Sequence, residues 1–230
     1  MNTKTLQLSW KLLTILLMLY VIVGGFLFEV PALPVIHQTI RNIYFHVGMW
    51  FSMIFILFLG FGFSLAYLHT MDLRYDRMVY ATVKTGLMFG LLGIITGMIW
   101  AQHTWGTWWV NDPKLNGAAV GILVYLAYLV LRSSVDDAAR KARLASVYKI
   151  FAFVIMFVFI MILPRLTGAS IHPGVDGNPA LATGDLAPAM QKVFFPAILA
   201  WFLFAYWVYT IVHRTDVLKE RINQLNNDII

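Results

Sequence analysis

Cysteine is absent from this 230-residue chain, so disulfides, thiol redox chemistry and thioether formation by the chain itself are excluded. Charge is scarce as well: 12% of the residues are Asp, Glu, Lys or Arg, against roughly a quarter in soluble domains. The few carboxylates avoid the interiors of the long apolar runs, which argues against an ion-coupled transporter with a proton relay. Walker loops, dinucleotide-binding fingerprints, His-Glu-x-x-His and nucleophile elbows are all missing. Nor does any linker or shift of composition divide the chain, so residues 1–230 read as a single integral-membrane domain.

What is present is apolar surface. Hydrophobic residues make up 60% of the chain, and the mean hydropathy is +0.74. A membrane span needs about 20 apolar residues, and runs of that order lie at about 12–28, 43–68, 85–102, 117–131, 150–163 and 193–212. The sequence therefore predicts an all-α, polytopic membrane protein with six transmembrane helices. Lys and Arg beside span ends resist translocation. Thirteen of the 17 lie near the N-terminus (Lys4, Lys11), after span two (Arg74, Arg77, Lys84), after span four (Arg132, Arg140, Lys141, Arg143, Lys149) and in the tail (Arg214, Lys219, Arg221). Both termini are accordingly expected on the cytoplasmic side, with Arg41, Lys114, Arg165 and Lys192 outside. This topology explains the net charge of +6 and gives no reason to propose nucleic acid. The first span has a basic start and an apolar centre without a clear small-x-small cleavage site, and reads as a retained signal anchor. The tail beyond Arg214 keeps apolar residues near helical spacing and should continue span six.

The outer connections hold the residues with chemistry. A Trp-rich segment, 103–116, runs Trp105-Gly-Thr-Trp-Trp-Val-Asn-Asp-Pro-Lys-Leu115. Trp105, Trp108, Trp109 and Asp112 stand at i, i+3, i+4 and i+7, so a short helix would set three indoles and one carboxylate on a single face. An aromatic belt accounts for Trp10, Trp50 and Trp207, but explains a cluster inside a loop poorly. Such indoles suit a large flat apolar ligand with polar edges. Of six histidines, His69 and His213 map to inner helix ends and resemble interfacial capping residues. His37, His46, His103 and His172 map to the outer half. His46, in Tyr-Phe-His-Val at the outer start of an apolar span, is a functional candidate by position. His172 follows in a loop rich in Pro and Gly that also contains Gly177-Asn-Pro-Ala. Two imidazoles from separate elements could approach a planar iron macrocycle from opposite faces, and Arg41, Lys114 and Arg165 could pair with its carboxylates. Span three carries Gly86, Gly90, Gly93 and Gly97 on one face, a pattern for close helix packing. Asp136 and Asp137 read as a solvated pair in an inner connection.

The signature Trp-Gly-x-x-Trp-x-x-Asp, here Trp105 to Asp112, resembles that of the haem-handling family of cytochrome c biogenesis, with His46 and His172 at the positions of its flanking histidines. The short chain with six spans looks most like the CcmC (haem exporter protein C) branch, and the similarity covers essentially the whole length. Asn111 stands where many relatives carry another Trp, and Lys114 where Arg is common. The resemblance implies a non-enzymatic protein of the bacterial inner membrane that binds haem b at the periplasmic face. His46 and His172 would be its axial ligands, with Trp105, Trp108, Trp109, Asp112, Arg41 and Lys114 around the cofactor. It further implies delivery to a CcmE-like periplasmic haem chaperone, in company with CcmA-like and CcmB-like ABC transporter subunits and a small CcmD-like membrane protein. Three alternatives remain open: a CcsA-like cytochrome c synthase component, the permease subunit of an ABC exporter, and a membrane cytochrome b with two haems. Whether His37 or His103 substitutes as a ligand is open at this point.

Overall fold

A computed structural model describes residues 3–32, 36–167, 170–173 and 186–227. The Gly177-Asn-Pro-Ala part of the loop after His172 lies outside the described residues. The protein is all-helical, with no strand among the described residues. Its helices are α1 (Thr3–Leu27), α2 (Ile43–Thr70), α3 (Leu73–Trp105), α4 (Pro113–Ser133), α5 (Ala138–Phe157), the short α6 (Leu163–Thr167) and α7 (Pro188–Asn227). A 3₁₀ helix, His37–Asn42, leads into α2, and a π-helical turn, Val158–Ile162, joins α5 to α6. Six helical stretches are long and apolar enough to cross a membrane, as the apolar runs predict. They extend past those runs at most ends, because helices continue through the charged residues that leave the hydrocarbon; α3 begins at Leu73 and takes in Arg74, Arg77 and Lys84.

Short polar punctuation turns the chain at each end. Asp72 and Asp137 adopt extended backbone and accept from the backbone N–H of Arg74 and Arg140, capping α3 and α5. α2 stops where Met71 turns left-handed. Tight connections make neighbours antiparallel, and two sets of contacts identify the bundle's ends. His46 and His172 meet at one end. At the other, Arg77 of α3 pairs with Glu220 of α7 and the Tyr67 hydroxyl reaches the Ala139 carbonyl.

α2 is the central helix, packed by α3, α5 and α7, while α1 leans on α7 and offers a row of Leu and Ile side chains to lipid. The glycine face of α3 admits α2 closely, as its spacing predicts. A Cβ on Gly86 would meet Leu57 at 2.6 Å, one on Gly93 would meet Trp50 at 2.9 Å, and one on Gly97 would meet the His46 ring at 2.8 Å. Trp50, expected in an interfacial belt, instead packs on Gly93 beneath His46. The π turn lets the Phe159 carbonyl press on α4, where a Cβ on Gly117 would approach it to 2.3 Å.

Lys149 departs from expectation. Counted by sequence among the cations of an inner connection, it lies within α5 and is wholly buried. Its Nζ donates to the Leu57 carbonyl at 2.7 Å and the Tyr125 hydroxyl at 3.2 Å, near the faces of Tyr125 and Phe153. A lysine one helical turn below a run of Phe, Val, Ile and Met enters the core when a carbonyl and a phenol can receive its protons.

Candidate functional site

His46 sits in the first turn of α2 and His172 follows α6, yet their ring centroids stand 6.3 Å apart with 35° between planes. Trp100 and Trp105 complete the cluster. Their rings lie 6.4 and 6.5 Å from His172 and 5.1 Å from each other, edge to face.

The hydrogen-bond network assigns both imidazole tautomers. The Thr96 hydroxyl donates to carbonyls of its own helix, Leu92 at 2.9 Å and Gly93 at 3.1 Å. With its one proton given to either carbonyl, it faces His46 Nδ1, 3.1 Å away, as an acceptor, an arrangement that puts the His46 proton on Nδ1. His172 Nδ1 is 2.7 Å from the Pro173 carbonyl, which can only accept. Each ring thus keeps its lone pair on Nε2, and each Nδ1–H is anchored in the way metal-binding histidines are. Loss of hydration and the nearby Lys114 ammonium lower the His172 imidazole from 6.5 to about 3, so it stays neutral at any physiological pH.

Asp112 holds His172 in place. The residue is 2% exposed and adopts extended backbone as the N-cap of α4, accepting from the backbone N–H of Lys114 and Leu115. The same carboxylate accepts from the Ser170 hydroxyl at 3.0 Å and the Ile171 N–H at 2.8 Å. Lys114 adds a bond to the Pro173 carbonyl at 3.2 Å. The two residues preceding His172 are thereby fastened to the start of α4.

The single-face arrangement expected of the tryptophans does not form. α3 ends at Trp105 because Gly106 turns left-handed (φ 74°), and the extended conformation of Asp112, which Pro113 enforces, stops any helix before α4. Trp105 joins the histidines, Trp108 is 54% exposed, and the Trp109 indole donates to Asn116, whose amide donates in turn to Asn111. Asn111 therefore helps orient Trp109. Asp112 offers no polar edge to solvent, since its oxygens are taken up by the chain. Arg41 turns toward the end of α1, donating to the carbonyls of Gly25 and Phe28 and to Gln38. Arg165 is exposed and bonds its own helix at Met161.

The other histidines lie apart. His37 and His103 are exposed, the second bonded to the Ile99 carbonyl, while His69 ends α2 and His213 stacks on Tyr209. Trp100 and Thr96 were not singled out from sequence. Trp100 lies three residues beyond Gly97, so the glycine face of α3, continued by one turn, could have found it; nothing in the sequence marks Thr96.

The donor set suits an iron already held in a macrocycle. Among the described residues no group of three or more His, Asp or Glu is placed to hold a bare metal ion. Two imidazoles whose Nδ1 atoms are engaged would leave two Nε2 donors for an iron held in such a ring. Imidazole–metal bonds of about 2.0 Å put two rings sharing one ion roughly 6 Å apart, the separation found here.

A family model described as "Cytochrome C assembly protein" matches residues 2–172, a stretch that includes both histidines and the Trp segment. Cytochrome c biogenesis protein CcsA of Prochlorococcus marinus (strain MIT 9303) is 35% identical over 97 residues, 42% of this chain and 29% of the relative. CcsA of Synechococcus sp. (strain RCC307) is 34% identical over 99 residues, 43% of this chain and 30% of the relative. CcsA of P. marinus (strain MIT 9515) is 35% identical over 113 residues, 49% of this chain and 34% of the relative. The aligned stretch thus covers about a third or less of each of these relatives.

Proposed function

The chain belongs to the cytochrome c assembly protein family, and from that premise we propose that it holds haem b between His46 and His172 and passes it on during c-type cytochrome maturation. The observation that carries this reading is the pair of imidazoles 6.3 Å apart, each with Nδ1 engaged and Nε2 free. When bound, haem would supply an iron that accepts nitrogen donors, here from His46 and His172. Trp100 and Trp105 lie beside His172, and Lys114, bonded to the Pro173 carbonyl, would pair with a carboxylate of the haem.

Two forms of this role differ in where the haem goes. The CcsA-like form, a component of a cytochrome c synthase, is favoured by the names of the relatives. The CcmC-like form has the protein at the periplasmic face of the inner membrane, delivering haem to a CcmE-like chaperone beside CcmA-, CcmB- and CcmD-like subunits. Its support is the Trp signature and the exposed Trp108, a surface from which a second protein could collect haem. In both forms the chain's own residues hold and orient the haem without making or breaking its bonds.

The test is haem titration of the purified protein in detergent. We expect one haem per chain with a bis-histidine spectrum, lost in His46→Gly and His172→Gly and partly restored by added imidazole. Full haem retention by both variants would overturn the assignment. Transfer assays with a CcmE-like chaperone or an apocytochrome then separate the two forms.

A further inference from the structure

α7 is 40 residues long, about 60 Å at roughly 1.5 Å per residue, twice the hydrocarbon thickness of about 30 Å. Its last turns, about four of them from Arg214, therefore stand in water at the ion-pair end of the bundle. One side of this extension is committed: Asp216 pairs with Lys84 and Glu220 with Arg77, both on α3. The opposite side is bare. Leu218, Ile222 and Leu225 are each more than half exposed, and their spacing of four and three is that of a coiled-coil seam.

The charges on the extension are sorted by side. At about 100° per residue, Arg214 and Arg221 fall on one edge of the seam and Lys219 on the other, all exposed. The two acids lie opposite, turned to α3. Lipid is a poor cover for this seam, because the two ion pairs hold the helix against α3 and off the membrane surface. A second copy is a poor cover as well, since a parallel pair would bring Arg214 of one chain against Lys219 of the other, a like-charge contact at the positions that set partner choice.

We propose that the projecting end of α7 is a docking surface for a helix of another protein, one with an apolar stripe and acidic edges. Bound side by side, such a helix covers Leu218, Ile222 and Leu225 while its carboxylates meet Arg214, Lys219 and Arg221. The surface is independent of the histidine site at the far end of the bundle.

The probe is a fluorescent synthetic helix of three heptads with Leu and Ile at a and d and Glu at e and g, alongside a twin with Lys at e and g. Full-length protein in nanodiscs of zwitterionic lipid is titrated against each, read by anisotropy. The Glu-edged peptide should bind at least about tenfold more tightly than the Lys-edged one, with an affinity that falls as salt is raised. Binding should disappear in the Leu218→Ser, Ile222→Ser double variant. The triple variant Arg214→Glu, Lys219→Glu, Arg221→Glu should reverse the preference, which a merely misfolded protein would not do. Equal binding of the two peptides overturns the proposal, as does a dimer of the full-length protein that the serine variant dissolves. Binding to anionic vesicles in place of either peptide overturns it too.

Discussion

The two ends of the bundle handle polar groups in opposite ways. At one end charges are paired off. Arg132 grips Asp76 through two bonds of 2.6 Å while its guanidinium covers the Tyr80 ring, and Lys84 and Arg77 hold the acids of α7. At the His and Trp end two imidazoles face each other among indole rings, and among the described residues no hydrogen bond is made by their Nε2 atoms. Ion pairs tie helices to one another; imidazole nitrogens beside indole rings offer donors to a ligand. The same sequence therefore builds a clamp and a receptor about a membrane's thickness apart.

The contrast breaks most sharply if the clamp is opened. Arg132→Ala leaves the buried Asp76 carboxylate alone, and should cost about 3–5 kcal/mol, seen as a large fall in the thermal midpoint in detergent. Haem binding per folded molecule should survive. At the other end, Asp112→Ala removes a helix cap, costing about 1 kcal/mol, but should lower haem affinity more than that figure conveys, because Ser170 and Ile171 lose their anchor; equal haem affinity with wild type would deny Asp112 its positioning role.

Acid offers a smaller and more graded test. His172 is depressed from 6.5 to about 3 in the folded protein, so below pH 6.5 the unfolded chain takes up a proton that the folded chain refuses. The stability tied to the neutral ring is complete above 6.5 and is lost as pH falls toward 3. The apo protein should therefore lose more stability than its His172→Gln variant over that interval, in melts run at stepped pH. Lys149→Met should matter least. Replacing a buried lysine that has no carboxylate partner among the described residues with an apolar chain of similar length is expected to be neutral or slightly stabilising. A strong loss of haem binding in that variant would tie the inner core to the receptor end.

The fold was legible because apolar runs of span length have few alternative uses. The ends of the spans were not, since Arg74, Arg77, Lys84 and the cations of α5 lie on helices that outlast the hydrocarbon. For the site, charge asymmetry and position brought His46 and His172 to one side of the membrane, and that pairing holds in space. The Trp face failed because a helical wheel presumes an unbroken helix, whereas Gly106 and Asp112-Pro113 both break it. Lys149 was misplaced for a related reason: its acceptors, Leu57 and Tyr125, come from two other helices, and no local pattern announces them.

The double attachment of Asp112 has a mechanical consequence. Trp108 is exposed only a few residues upstream of a carboxylate that clasps the backbone just before His172. A protein that grips Trp108 and draws the loop outward pulls on that clasp, and the tension arrives at one of the two imidazoles while the other, rooted in α2, stays where it is.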